Sequence, residues 1–158
     1  MRWSVRPMRL EDATEISRWH YPQPYTFYDA QEDASDLAEL LTPTTWAPDS
    51  HFAVDGSDAR LMGFFTFDPD ADYLVVGIGL RPDATGRGLG EEFLRAGLQF
   101  AADRWHPAGF KLAVAEWNAR AIRVYERAGF VATGRFLQET NGGVYPFIAM
   151  MRLWPSPE

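Results

Sequence analysis

The chain has 158 residues, which suits one domain that buries roughly two-thirds of its unfolded surface. It has no cysteine, which excludes a disulfide framework, a thiolate zinc site and a cysteine nucleophile. A formal charge of -7 argues against generic nucleic-acid binding, which needs phosphate-neutralising surface, and mildly favours a cationic substrate such as an amine. No apolar run approaches the ~18 residues of a membrane span, and the opening MRWSVRPMRLED lacks the apolar core of a secretory signal. The expectation is a cytoplasmic protein with neither a membrane nor a nucleic-acid partner.

In chain order, Trp3 to Met8 alternates as a first strand, and Glu11 to His20 carries Ala13, Ile16 and Trp19 at helical spacing. The prolines of Tyr21-Pro22-Gln23-Pro24-Tyr25 forbid a regular helix. Ala34, Leu37, Ala38 and Leu41 mark a second helix, stopped by Thr42-Pro43. Strands follow at His51 to Val54, Leu61 to Phe67 and Tyr73 to Leu80, joined by the turn formers Asp55-Gly56-Ser57-Asp58 and Asp68-Pro69-Asp70-Ala71. Gly88 to Arg104 reads as a helix with Leu89, Phe93, Gly97, Phe100 and Ala101 on one stripe. A strand at Phe110 to Ala115 and a helix at Asn118 to Ala128 come next. Two strands, Phe130 to Leu137 and Val144 to Leu153, close around Asn141-Gly142-Gly143. The order β-α-α-β-β-β-α-β-α-β-β predicts an α+β fold with a mixed sheet, antiparallel at first and parallel across one helical crossover. The chain is expected to be a single domain over residues 1–158, with 154–158 a loose tail.

Thr85-Gly86-Arg87-Gly88-Leu89-Gly90 sits between a strand and a helix. Unpaired amides at a helix start, aligned with its dipole, suit phosphate oxygens, and glycine lets backbone approach a ligand closely. A Walker loop is absent. A dinucleotide loop would need a third glycine where Glu91 stands, and the preceding seventy or so residues of helices and hairpins are poor context for that fold. A glycine turn with no ligand is the plain alternative.

Gly77-Ile78-Gly79-Leu80-Arg81-Pro82-Asp83-Ala84-Thr85-Gly86-Arg87-Gly88-Leu89-Gly90 resembles the acyl-CoA motif of the GNAT superfamily of N-acyltransferases. Its form there is Val/Leu-x-Pro followed by Gln/Arg-x-x-Gly-x-Gly/Ala, and Thr85 stands where the family has Gln or Arg. Asn118-Ala119-Arg120-Ala121-Ile122-Arg123-Val124-Tyr125-Glu126-Arg127-Ala128-Gly129-Phe130 resembles its second signature, Asn-x-x-Ala-x-x-x-Tyr-x-x-x-Gly-Phe. The resemblance spans nearly the whole chain. It implies a GNAT-like fold of about seven strands and four helices, in which splayed strands open an acyl-CoA cleft. It also implies acetyl-CoA as donor, with no metal. The amides of Thr85, Gly86, Arg87, Gly88, Leu89 and Gly90 are expected to hold the coenzyme pyrophosphate, while Ile78, Gly79 and Leu80 hydrogen-bond the pantetheine. The glycines of Gly77-Ile78-Gly79 agree, since glycine within a strand marks a bulge or a close approach. An amide freed there suits the oxyanion of thioester attack.

Asn118, Ala121, Ile122 and Tyr125 share one helical face. Taken alone, Asn118 is a favoured N-cap, Gly129 a left-handed C-terminal residue and Tyr125 a core aromatic. The resemblance implies that Asn118 and Ala121 line the coenzyme groove and that the Tyr125 phenol donates a proton to the departing thiolate, a role suited to a group protonated at neutral pH. Arg120, Arg123 and Arg127 form a basic face, with Arg120 or Arg123 a candidate for the coenzyme 3′-phosphate.

The two strands that splay in the family carry no carboxylate here, so the base is open among Glu116, His20, Asp29, Glu139 and water. Trp19, His20, Tyr21, Tyr25 and Tyr28 are the expected acceptor wall, through stacking and cation–π contact, or else anchors of a loop. His51 and His106 show no ligand spacing. The expected function is acetyl transfer from acetyl-CoA to a primary amine of a small molecule or peptide by direct attack, in a monomer or homodimer. The rivals are a silent acyl-CoA sensor and, more remotely, a nucleotide-binding regulatory domain.

Overall fold

The structure is a computed structural model and describes residues 2–155. Its elements are β1 (Ser4–Pro7), α1 (Leu10–Ser17), α2 (Ala34–Leu40), β2 (His51–Asp55), β3 (Leu61–Asp70), β4 (Tyr73–Leu80), α3 (Gly90–Trp105), β5 (Gly109–Ala115), α4 (Ala119–Arg127), β6 (Val131–Thr140) and β7 (Gly143–Leu153). Short 3-10 helices at Tyr25–Tyr28, Ala30–Glu32, Pro43–Thr45 and Pro82–Ala84 fill the long connections. The strands form one sheet in the order β1-β2-β3-β4-β5-β7-β6, antiparallel throughout except where β4 meets β5. The order read from hydrophobic pattern and turn residues is therefore the observed one. Among the described residues, no helix is long and apolar enough to cross a membrane.

Differences from the sequence reading lie at element ends. Helix α1 stops at Ser17 rather than His20, because Arg18 and Trp19 donate to Glu15 and Ile16 in a tightened last turn and Tyr21 precedes a proline. Strand β3 runs on through Pro69 to Asp70, since β2 has ended by then and the missing N–H of Pro69 faces no partner on that side. The hairpin that follows is tight, and Ala71 takes a left-handed φ of 52° to close it. Trp154 is no loose tail: it packs edge-on to Phe110, and its amide donates to Ala108 O. The rest of that expected tail, 156–158, lies outside the described residues.

Two apolar clusters pin opposite faces of the sheet. Under α3, Phe65 stacks on Phe93 at 4.7 Å and on Phe67 at 5.6 Å, with Leu94, Leu98 and Phe110 fully buried around them. Each such phenyl contributes about 1.5–3 kcal/mol by leaving water. On the other face, Ala13, Ile16 and Trp19 press onto Ala53 and Leu61, with Leu40 and Phe64 at the margin. The functional cavity lies on that second face.

Candidate functional site

The sheet comes apart along one seam. Strand β3 pairs with β4 over its full length, from Asp70↔Tyr73 to Gly63↔Leu80. Strand β5 pairs with β7 from Gly109 to Ala115. Between β4 and β5, however, pairing covers only Tyr73↔Gly109, Leu74↔Phe110 and Val75↔Lys111. Beyond Val75 the two strands diverge, and a cavity of about 710 Å³ opens between them, walled by Val76 to Leu80 on one side and Leu112 to Val114 on the other. Backbone groups on the inner edges have no ladder partner there, so an extended ligand can pair as an added strand.

One end of the cavity reaches Thr85 and Arg120. Gly86 and Gly88 hold φ of 72° and 75°, a left-handed backbone in which a side chain is strained. The space above them is open: a methyl group on Gly88 would meet nothing within 4 Å, and one on Gly86 only Arg120 Nη1 at 3.8 Å. The loop leads into α3, whose first residues have no side-chain cap. The Gly86–Gly90 amides have no backbone acceptor among the described residues, and unpaired amides at a helix start with a guanidinium beside them suit a diphosphate. Arg120 stands over the Tyr25 ring at 3.9 Å and has no ion pair among the described residues, so it is aimed rather than splayed into solvent. Arg87 is exposed and also unpaired among them. The Thr85 hydroxyl donates to Pro82 O at 2.7 Å and its amide to the same oxygen at 3.2 Å, so Thr85 closes the turn and, unlike the expectation, offers a ligand neither its side chain nor its amide.

Gly77 and Gly79 mark no bulge, because the β3–β4 register is unbroken through them. A Cβ on Gly77 would collide with Thr66 Oγ1 and one on Gly79 with the Phe64 ring. These glycines let side chains of β3 lean across β4, and so shape the cavity floor from the neighbouring strand.

Helix α4 carries the second signature, and its ends explain the spacing. Asn118 caps the start: its Oδ1 accepts from Ala121 N at 3.1 Å, while Nδ2 donates to the Tyr28 hydroxyl at 3.1 Å. The carboxamide is thus engaged on both sides, and its work is to hold Tyr28 against the helix. At the other end Gly129 has φ 94°, its amide donates to Glu126 O, and Phe130 N donates to Tyr125 O at 3.0 Å. This pair of bonds is a Schellman stop. Phe130 is buried and its ring lies 6.2 Å from that of Tyr125. Tyr125 is therefore gripped at backbone and ring while it lines the cavity. Its hydroxyl makes no hydrogen bond among the described residues, and burial, reinforced by the neighbouring Tyr28, holds the phenol well above its usual value. It stays protonated and ready to donate. Ala121 packs toward the core behind this face.

The other end of the cavity is roofed by the segment before α2. Trp19, Tyr21, Tyr25 and Tyr28 line it, as expected. Tyr21 donates to Leu80 O at 2.7 Å, which fastens the roof to the tip of β4. The same run also anchors the loop, for Phe27 packs among Trp117, Tyr145 and Phe147. His20 is separated from the group. Its side chain is 76% exposed, its Nδ1 lies 2.6 Å from Asp29 Oδ2, and it is not on the cavity wall.

The expected bases fare poorly. Asp29 lines the cavity but is engaged by His20 and by Tyr21 N at 2.9 Å. Glu116 pairs with Arg135 at 3.0 Å, and Glu139 is exposed on β6. Other polar residues stand there instead: His51, weighed from the sequence only as a metal ligand, with Thr66, Asp36, Glu39 and Asp68, which were not singled out as site residues. None of these three carboxylates has a cationic partner among the described residues. Burial, then the charges of Asp33 and Glu39, raises Asp36 above the ordinary carboxylate value. Asp33 is different, being engaged in capping α2 and in holding Asn141 N at 3.0 Å. This end of the cavity is thus electronegative, an environment that suits a cationic ligand. No periodicity or motif announces these residues, since three separate elements bring them together.

The sequence matches the acetyltransferase (GNAT) domain family over residues 2–131, and the chain belongs to that family. Among curated proteins it is similar to mycothiol acetyltransferase of Clavibacter sepedonicus, 34% identical over 96 residues, which is 60% of this chain and 31% of that one. It is 41% identical to mycothiol acetyltransferase of Thermomonospora curvata over 75 residues, 46% of this chain and 25% of the relative. The chain spans about a quarter to a third of the length of these relatives. Among solved structures, the spermidine N-acetyltransferase from Vibrio cholerae in complex with CoA and spermine matches with a TM-score of 0.76 at 20% identity, over 96% of this chain and 95% of that one. That likeness is one of fold, and the mixed seven-stranded sheet with its four helices is the GNAT fold.

Proposed function

We infer that the chain is an acetyl-CoA-dependent N-acetyltransferase acting on a cationic amine. The observation that carries this reading is the β4–β5 seam, paired over three residues and then open, with Tyr125 on the wall of the opening. In this reading the coenzyme diphosphate rests on the amides of the Gly86–Gly90 loop with Arg120 beside it, and the pantetheine pairs along Ile78 to Leu80. The thioester then lies near Tyr125. The amine enters from the α1–α2 face, drawn by Asp36, Glu39 and Asp68, and attacks the carbonyl carbon directly. Breakage of the C–S bond leaves a thiolate that Tyr125 protonates. The mycothiol acetyltransferases and the spermidine enzyme named above are acetyltransferases, which supports the donor and the reaction class.

The test is release of free coenzyme thiol from acetyl-CoA across monoamines, polyamines, amino sugars and peptide N-termini, alongside thermal shift with acetyl-CoA. Amine-dependent thiol release is expected, strongest for acceptors that carry a second positive charge. Tight acetyl-CoA binding with no release for any amine overturns the enzyme reading and leaves a coenzyme-binding module.

A further inference from the structure

His51 opens β2 on the cavity face of the sheet, at the acceptor end. Its surroundings fix its tautomer. Ser50 Oγ donates to Ala47 O at 2.6 Å and lies 2.7 Å from His51 Nδ1. A hydroxyl has one proton, and here Ala47 takes it, so the contact with His51 is made by a hydrogen on Nδ1. Nε2 is then left with a lone pair, and it has no hydrogen-bond partner among the described residues. The ring is held flat: Trp46 stacks on it at 4.6 Å with an interplanar angle of 5°, and Trp46 Nε1 is itself tied to Glu39 O at 3.1 Å. A histidine with one nitrogen anchored, its plane fixed and the other nitrogen unoccupied beside a cavity is built to accept a proton.

The register gives it a route to the acetyl donor. His51 pairs with Thr66 on β3, and Thr66 pairs with Gly77 on β4, so the three stand in a row across the sheet. With adjacent strands ~4.8 Å apart, the His51 backbone is ~10 Å from the open edge of β4. The space between holds the Thr66 hydroxyl, which leans over Gly77 where a larger residue on β4 would block it. We propose that His51 is the general base of the acetyl transfer, its Nε2 taking the proton of the acceptor ammonium across the Thr66 hydroxyl. This inference rests on the amine-acetylation reading above.

The proton balance is complete. The ammonium gives one proton to Nε2, and the neutral amine attacks the thioester carbonyl. The tetrahedral adduct expels the thiolate, which takes the Tyr125 proton, and Tyr125 regains one from the nitrogen that becomes the amide. The imidazolium returns its proton to solvent. The groups facing His51 are Glu39 from α2 and Asp68 from β3, whose charges favour the imidazolium as it forms, whereas burial is the larger influence and lowers the resting value below that of a free histidine. His51 is therefore neutral at pH 7, the state a base requires.

The experiment is the pH dependence of kcat/KM with one good amine, for wild type, His51→Asn and Thr66→Val. Asparagine keeps an N–H for Ser50 and removes Nε2. Without a base, kcat/KM follows the free-amine fraction and climbs tenfold per pH unit toward the amine pKa near ~10. With His51 as base, the wild type shows a plateau that falls away only below about pH 6.5, as the imidazole protonates. His51→Asn is expected to lower kcat/KM at pH 7 by ~100-fold or more and to turn the plateau into the rising line, with acetyl-CoA affinity unchanged. Thr66→Val, which cuts the same proton route, is expected to lower kcat/KM at pH 7 as well and to turn its profile toward the rising line, with acetyl-CoA affinity unchanged. A wild-type profile with no plateau overturns the proposal even if His51→Asn fails to fold, and so does a His51→Asn profile that matches the wild type. Wild-type enzyme that acetylates no amine overturns the acetylation reading itself, a result distinct from either of these.

Discussion

At the scale of one residue, Tyr125 separates stability from function. Its ring packs against Phe130, while its hydroxyl has no hydrogen-bond partner among the described residues and the residue lines the cavity, with the phenol kept protonated by the burial around it. Phenylalanine in its place would keep the same ring contact. Tyr125→Phe is therefore expected to melt close to the wild-type temperature and to bind acetyl-CoA as before, while kcat falls ~100-fold for want of the proton donor. Calorimetry and steady-state kinetics on the same preparation check both halves. An unchanged kcat at saturating substrate removes Tyr125 from the chemistry, and a large drop in melting temperature makes it structural. Asn118 is the opposite case, since its two hydrogen bonds are both made and its burial is compensated.

At the scale of elements, α4 shows why its signature was legible. Asn-x-x-Ala-x-x-x-Tyr-x-x-x-Gly-Phe describes one helix with its cap, its cavity-facing turn and its stop, and each position is set by local geometry. The Phe130 amide closes on the Tyr125 carbonyl, so the stop also positions the tyrosine. Gly129→Ala places a Cβ in the left-handed region, 3.2 Å from Arg152 Nε, at a cost of ~1–2 kcal/mol. The expected result is a melting temperature lower by ~2–6 °C, together with a lower kcat as the end of the helix shifts Tyr125. Equal melting curves for the two proteins contradict the stop. The glycine loop was legible for the same reason, because the positive φ of Gly86 and Gly88 is a local demand. His51, Thr66, Asp36 and Asp68 were not legible, because strand register and the docking of α2, rather than sequence neighbours, gather them. Gly77 and Gly79 read in the sequence as a bulge or a close ligand approach; the ladder has no bulge there, and the room they leave is taken by Thr66 and Phe64 on the next strand, a cross-strand demand that sequence neighbours do not show.

Over the whole molecule, the two faces of the sheet divide the labour. In the proposed reading the coenzyme end depends on α3, β4 and α4, whereas the acceptor end depends on how α1 and α2 sit on the far face. One charged cluster ties that second face down. Arg6 on β1 donates to both carboxylate oxygens of Asp12 on α1, at 2.7 and 2.8 Å, and its Nε donates to Asp55 on β2 at 2.7 Å. Arg9 N adds a further bond to Asp12 at 2.8 Å. Burial pushes the Asp12 pKa up, but the bonds from Arg6 and Arg9 together outweigh it and hold the carboxyl below its ordinary value. A depressed carboxylate stabilises the fold above its unfolded pKa, and that contribution is lost as pH falls through the folded value. The cluster is partly exposed, so its worth falls between a surface pair and a buried one, and Asp12→Asn is expected to lose ~2 kcal/mol at pH 7. The melting temperatures of wild type and Asp12→Asn should then differ by a constant amount above about pH 5 and converge below about pH 3.9. A gap that persists undiminished at pH 3 contradicts the assignment. Because the cluster anchors α1 beneath the acceptor roof, the same variant at neutral pH should raise KM for the amine while leaving the affinity for acetyl-CoA in place.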